Sequence, residues 1–291
     1  MRDTWKTNFS SDFLDKQVEG REKVYRQRSG KSRDRSFIIP TYLKTKNVSK
    51  TGEILGFSSL FLLKFLKEAG ISTKYNHSLD DTVFETINTE EKAYWLGFLT
   101  ADGYIREGAS SGINLRLQLR DKDHIIKFQK FLSSDHKLQE GNTKSSTGKD
   151  CSFVNLAITN IKLSNDLVAL GLHQNKSKTA KPCDQVPSIL LKHYYRGLID
   201  GDGSLTKSSR DGVLIGLCGT YDICRGFLNF VKNIIGIQTS LKIATRIDGL
   251  SYLRFSKNPS KEIIKFLYQD AKVSLDRKQA IAYEVINASV R

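Results

Sequence analysis

The sequence predicts an α+β fold made of two pseudo-symmetric units, each running helix, two strands, helix, two strands, helix, behind a small helical N-terminal region. Three observations carry this expectation. Ala93-Tyr94-Trp95-Leu96-Gly97-Phe98-Leu99-Thr100-Ala101-Asp102-Gly103 is echoed by Tyr194-Tyr195-Arg196-Gly197-Leu198-Ile199-Asp200-Gly201-Asp202-Gly203. Stretches that alternate apolar and polar residues follow each copy, as half-buried strands do. The order of helical and alternating segments after the first copy then recurs after the second.

Taken in order, the chain opens with a basic arm, assigned to residues 1–45. Arg21, Lys23, Arg26, Arg28, Lys31, Arg33 and Arg35 face only Glu22 and Asp34, without apolar periodicity. Such a run is a solvated segment that would release counterions on a polyanion. Residues 46–77 differ. A helix over 49–55, a turn at Gly56, and a second helix capped by Ser58 or Ser59, with Leu62, Phe65, Leu66 and Ala69 at helical spacing, have the layout of a helix-turn-helix. An ordinary helical hairpin has the same pattern. Residues 72–88 are polar and aperiodic and are expected to be a linker.

Two similar halves are then expected, over residues 78–183 and 184–291. Each motif copy reads as an apolar helix, the first capped by Asn88 with Glu91, the second started by Ser188 after Pro187. Gly103 and Gly203 suit the left-handed residue that ends a helix. Gly97 with Ala101, and Gly197 with Gly201, place small residues four apart on one face, where two helices can approach closely. Crossing there would bring Asp102 and Asp202 together. Two carboxylates about 4 Å apart repel by roughly 4 kcal/mol at an effective dielectric of about 20. A shared proton or bound divalent cations would relieve this.

In the first half, Leu115, Leu117 and Leu119 alternate with Asn114, Arg116, Gln118 and Arg120, side chains suited to base edges. A helix over 121–132, a strand over 153–159 presenting Asn155, and a helix over 162–170 follow. The second half is expected to contain strands at 204–207 and 213–218, a helix over 221–234, strands at 241–246 and 252–256, and helices over 261–267 and 275–286. Its groove-facing residues would be Lys242, Arg246, Arg254 and Lys257, although 213–218 is apolar on both faces.

Composition bounds the function. Of 291 residues 39% are hydrophobic, as in a globular protein, and the net charge of +15 points to a polyanionic partner, of which nucleic acid is the commonest. A membrane partner is not expected, because no apolar run reaches about eighteen residues and no signal peptide is visible. Cys151, Cys183, Cys218 and Cys224 lack Cys-x-x-Cys spacing and a matching histidine set, so reduced thiols in an intracellular protein, without a zinc site, are expected.

The duplicated Gly-x-x-x-[Ala/Gly]-Asp-Gly resembles the motif of LAGLIDADG homing endonucleases in their single-chain, two-motif form, over about residues 80–291. Trp95, Leu96, Phe98 and Thr100 depart from the family pattern; both final aspartates keep it. The resemblance implies that the sheets curve into an antiparallel β-saddle over double-stranded DNA, with the motif helices at a pseudo-twofold interface. It implies a monomer that hydrolyses both strands across the minor groove, leaving short 3′ overhangs. Asp102 and Asp202 would hold about two or three divalent ions, with Mg²⁺ the cofactor and Mn²⁺ or Ca²⁺ able to replace it in binding. Lys176 or Lys178, and Arg277 or Lys278, fall where the family places basic active-site residues. Arg120, Asp121 and Thr220 fall where it organises water. Because an intein resembles a segment opening with Cys or Ser and closing with His-Asn, the opening Met and final Val-Arg read as a free-standing chain. The expected location is intracellular, in the cytoplasm of a bacterium or phage-infected cell, or in a mitochondrion or other organelle. Two alternatives stay open: a splicing cofactor for intron RNA on the same scaffold, and a non-cleaving DNA-binding regulator.

Overall fold

The computed structural model describes residues 34–71, 73, 77–108, 110–144, 148–208 and 212–288. The chain divides into two compact units at Asn76–His77.

In the first unit, a 3₁₀ turn at Arg35–Phe37 leads into α1 (Ile38–Thr45), α2 (Val48–Leu55) and α3 (Ser59–Glu68). Asn47 and Ser58 start the second and third helices by accepting the backbone N–H of Lys50 and Phe61. Gly56 ends α2 at φ 74°, the left-handed region that glycine enters freely. Ile38, Tyr42, Phe57, Leu62 and Leu66 form this unit's own core. The basic arm assigned through residue 45 therefore gives way to a helix at Ile38, whose buried Ile38 and Tyr42 are four apart on one face. The arm's basic residues up to Arg33 lie outside the described residues. Helices α2 and α3 follow each other across Gly56–Ser58, with α1 in front of them.

In the second unit, α4 (Glu90–Asp102), β1 (Gly103–Arg106), β2 (Gly112–Gln118), α5 (Lys122–Phe131), β3 (Gln139–Lys144), β4 (Asp150–Thr159) and α6 (Ile161–Ala169) form the first half. The second half comprises α7 (Leu191–Asp202), β5 (Gly203–Ser208), β6 (Gly212–Gly219), α8 (Tyr221–Phe230), β7 (Ala244–Thr245), β8 (Ser251–Ser256), α9 (Lys257–Tyr268) and α10 (Asp276–Ala288). The sheets are antiparallel and share one topology, β1-β2-β4-β3 and β5-β6-β8-β7. Each motif glycine opens an edge strand, Gly103 opposite Leu115 and Gly203 opposite Leu217.

One continuous core serves both halves, and the motif helices run through its centre. Residues 93–100 of α4 are all buried, so this helix has neighbours on every side and no polar face. Several local expectations are corrected. Val83, Phe84 and Ile87, in the stretch read as a linker, are buried in this core although the segment forms a turn and irregular chain rather than a helix or strand. Strand β3 has no signature in the sequence because Gln139-Glu140-Gly141-Asn142-Thr143-Lys144 is polar on both faces. The strand expected over 241–246 shrinks to Ala244–Thr245, and the helix begun at Tyr221 changes to a π-turn at Val231–Ile235. Thr89 rather than Asn88 caps α4, accepting the Lys92 N–H, and a 3₁₀ turn at Ser188–Leu190 precedes α7. Among the described residues no helix is long and apolar enough to cross a membrane.

Candidate functional site

The site begins with two glycines. A Cβ on Gly97 would lie 2.0 Å from the Tyr194 carbonyl oxygen, and one on Gly197 would lie 2.1 Å from that of Tyr94. Only backbones without side chains can meet so closely, so α4 and α7 cross at these points. The closeness continues down the pair, where a Cβ on Gly201 would fall 2.3 Å from that of Ala101 and 3.3 Å from Asp102 Oδ2. Asp102 and Asp202, the last residues of the two helices, therefore emerge side by side.

Gly103 and Gly203 do not adopt the expected left-handed conformation. Their φ angles are −72° and −89°, because each helix passes directly into an edge strand. What they provide is space: a Cβ would stand 2.7 Å from Leu99 O or 2.6 Å from Ile199 O.

Both aspartates reach solvent, yet protein surrounds them on most sides. Burial, and then the charge of Asp202, raise the Asp102 pKa to about 6. Burial raises Asp202 as well. The like-charge repulsion belongs to the pair, so the second proton leaves less readily than the first. Among the described residues neither carboxylate has a hydrogen-bond partner.

Two buried lysines stand behind them. Lys176 Nζ donates to Gly103 O. Lys278 Nζ donates to Ile199 O at 2.6 Å, Asp200 O at 2.7 Å and Gly203 O at 2.7 Å, sharing Ile199 O with the Gly203 N–H that closes the end of α7. Burial lowers both lysines, Lys278 to about 8. Their positive charges oppose the negative ends of the helix dipoles and offset the carboxylate pair. The influence crosses between halves: Lys278 opposes the Asp102 shift more than Lys176 does, whereas for Asp202 the order reverses.

The other two basic candidates lie elsewhere. Lys178 is exposed and lines a different cavity, beside Thr179 and Lys181. Arg277 binds Asp121 at 3.1 Å and contributes only a lesser charge effect at Asp102. A cavity of 220 Å³ brings Asp202 together with Lys176, Thr100 and Thr220. Thr220 is already engaged, donating to Ala180 O at 2.6 Å and capping α8.

Asp200, which motif spacing does not single out, lies fully buried behind Asp202. It accepts hydrogen bonds from Tyr94 at 2.7 Å, Tyr268 at 2.6 Å and the Leu275 N–H at 2.7 Å, tying both motif helices to α9 and the approach to α10. Burial raises its pKa. Tyr94 also meets His124 of α5 at 3.0 Å. A second buried tether is Arg196, which donates to Val273 O, Leu267 O and, at 2.7 Å, Glu90 Oε1 at the start of α4. The one sequence signal for both tethers is a charge inside an otherwise apolar stretch, since Arg196 and Asp200 interrupt the second motif run.

The proposed groove contacts divide. Asn114, Arg116 and Gln118 occupy one face of β2, with Arg116 and Gln118 exposed. Arg116 lies over the Phe153 ring, its guanidinium carbon 4.3 Å from the centroid. Arg120 is exposed but lies past the strand, in a 3₁₀ turn at Leu119–Asp121. Asn155 is corrected: it is only 3% exposed, between Arg116 and Gln139 in register, and donates to Gln139 Oε1 at 3.3 Å. In the second half Lys242 is exposed in an irregular stretch, Lys257 begins α9, and Arg246 is paired with Asp248 at 3.0 Å. Arg254 is exposed on β8 beside Tyr252. With Arg246, Ser204 and Asp202 they line a 340 Å³ cavity that joins the sheet face to the carboxylates.

No family model matches the sequence, and no curated protein does. Solved structures similar to the chain include "The homing endonuclease I-WcaI bound to its DNA recognition sequence", with 12% identity, a TM-score of 0.47, and coverage of 75% of this chain and 92% of that chain. The LAGLIDADG homing endonuclease I-GzeII in complex with its DNA target has 10% identity, a TM-score of 0.41, and coverage of 70% and 92%. The LAGLIDADG meganuclease I-AabMI bound to uncleaved DNA has 11% identity, a TM-score of 0.40, and coverage of 69% and 90%.

Proposed function

We propose that the chain is a site-specific DNA endonuclease that hydrolyses one phosphodiester bond on each strand of a double-stranded target, acts as a monomer, and leaves short 3′ overhangs. One observation carries this reading. Two carboxylates from equivalent helix ends stand side by side without hydrogen-bond partners among the described residues, each helix end held by a buried lysine.

Such a pair is unfavourable by itself and fits divalent cations with oxygen ligands, Mg²⁺ above all. Asp102 and Asp202 would hold the ions, which when bound supply charge neutralisation at the phosphate and a more acidic water. The chain's own residues do the rest. Lys176 and Lys278 fix the two helix ends and add positive charge beside the scissile phosphates. Thr220 and Lys176 border the cavity at Asp202 that can hold water. Arg116, Gln118, Arg246 and Arg254 would set the register of the duplex and read base edges from the two sheets.

The experiment is selection of a target from a random-site DNA library in Mg²⁺, followed by mapping of product ends. Cutting of both strands at a fixed offset, abolished by chelation, supports the reading. An uncut library would exclude it, and promotion of intron RNA splicing under those conditions would place the chain among splicing cofactors.

A further inference from the structure

Away from the carboxylate pair, the fold brings together residues that sequence spacing keeps apart. His77, at the entry to the second unit, meets Asp135 and His136 in the turn between α5 and β3. Their potential ligand atoms all lie within 4.8 Å of one another. We propose that these three residues form a binding site for a divalent transition-metal ion of the zinc class, fastening the entry segment to this turn.

The donor set suits that ion: two imidazoles and one carboxylate, with water completing the coordination. The His77 Nδ1 to Asp135 Oδ1 separation is 2.9 Å. Two atoms each bound about 2.0–2.1 Å from a tetrahedral zinc stand about 3.3 Å apart, so an ion can replace the hydrogen joining this pair with a widening of about 0.4 Å. The imidazole rings of His77 and His136 are stacked, centroids 3.9 Å apart. From the 4.8 Å limit, bringing a third donor in requires a shift of about 1.5 Å, shared between exposed or half-buried side chains.

The frame around the donors is already fixed. The Ser78 N–H donates to Asp135 Oδ1 at 2.9 Å, and the Asp80 N–H donates to Leu132 O at 2.8 Å. Gln129 Nε2 donates to His136 O at 2.7 Å. Ser134 Oγ accepts the His136 N–H and lies 2.8 Å from Nδ1 of the same ring. With the hydrogen on Nδ1, Nε2 keeps its lone pair for a metal, the arrangement in which a neighbour of a ligating histidine fixes its tautomer. The chemistry also separates this site from the carboxylate pair, since imidazole favours zinc-class ions and carboxylates alone favour Mg²⁺.

The test is calorimetric titration of the full chain with Zn²⁺ in saturating Mg²⁺, followed by Co²⁺ titration read in the visible spectrum. One equivalent of Zn²⁺ is expected for the wild type and for Asp102→Asn. A loss of affinity of about tenfold or more is expected for His77→Ala and His136→Ala. Co²⁺ should give a ligand-field band that the same two variants lose. His77→Ala leaves the turn's own hydrogen bonds in place, so it keeps the test decisive if His136→Ala misfolds. Equal Zn²⁺ binding by the wild type and folded His77→Ala, or no Zn²⁺ binding by the wild type, would overturn the site.

Discussion

Gly97 and Gly197 lie where α4 crosses α7, each set directly against the backbone of the other helix. A Cβ on Gly197 would stand 3.1 Å from the Gly97 carbonyl carbon and 2.1 Å from Tyr94 O. The crossing sets the separation of Asp102 and Asp202 about one and a half turns further along, so packing and chemistry depend on the same close approach.

Gly97→Ala or Gly197→Ala should therefore destabilise the protein by roughly 1–3 kcal/mol, because backbone rather than a mobile side chain must move. Urea denaturation measures this, and DNA cleavage should fall beyond the folding loss. Stability and cleavage equal to the parent's would mean that the helices do not cross here.

Asp102→Asn should reduce cleavage by at least about a hundredfold while leaving DNA binding largely intact, since a metal ligand is removed but the groups that hold phosphates remain. The same variant tests the electrostatics. With a folded pKa of about 6 above the ordinary value of 3.8, native Asp102 binds more protons than the unfolded chain between those values. Wild-type stability contributed by this group therefore falls as pH rises through that window. In chelator, Asp102→Asn should melt above the wild type at pH 7, and the gap should close below about pH 4. A variant less stable at pH 7 would show that the carboxylate is favourably solvated or paired.

Lys278→Met should remove the ammonium donor from Asp200 O and Gly203 O, while Ile199 O keeps the Gly203 N–H. Roughly 1–3 kcal/mol of stability should be lost for each buried acceptor that water does not reach. Lys178→Met, at an exposed position, should cost under about 0.5 kcal/mol. Thermal denaturation and cleavage of both variants would rank the two lysines, and equal effects would remove the structural role assigned to Lys278.

DNA binding should separate into positioning and reading. Removing residues 1–33 should weaken all DNA alike and flatten the salt dependence, by about 0.9 in log–log slope for each phosphate no longer neutralised. Arg116→Ala or Gln118→Ala should instead change preference at particular base pairs, by about 1–3 kcal/mol for a bidentate pairing. Deleting residues 1–76, the whole first unit, should shorten the footprint at one end and leave the cut position unchanged. A footprint of full length would make helices α2 and α3 a packed hairpin without a groove.

The sequence by itself determined the duplication, the two aspartates and the glycines that let their helices touch, because these are local patterns of residue type and spacing. It also determined β2, whose alternation separates buried Leu115 and half-buried Leu117 from a polar face, although Leu119 falls past the strand and is exposed. Burial could reverse such a reading only where a neighbour arrived from elsewhere, as Gln139 and Arg116 cover Asn155. Strand β3 had no pattern to read, since both its faces are polar. The four basic candidates, Lys176 and Lys178 before the second half and Arg277 and Lys278 near its end, could not be ranked by spacing. The fold lays Lys176 and Lys278 each across a helix end 73 and 75 residues away, and ties Arg277 to Asp121. Asp200 is the sharpest case: two residues from Asp202 in the chain, it faces Tyr94 and Tyr268 in the core while Asp202 reaches solvent. Helical geometry turns each successive residue by about 100°, so carboxylates two positions apart enter opposite environments, and which is which depends on the helices packed around them.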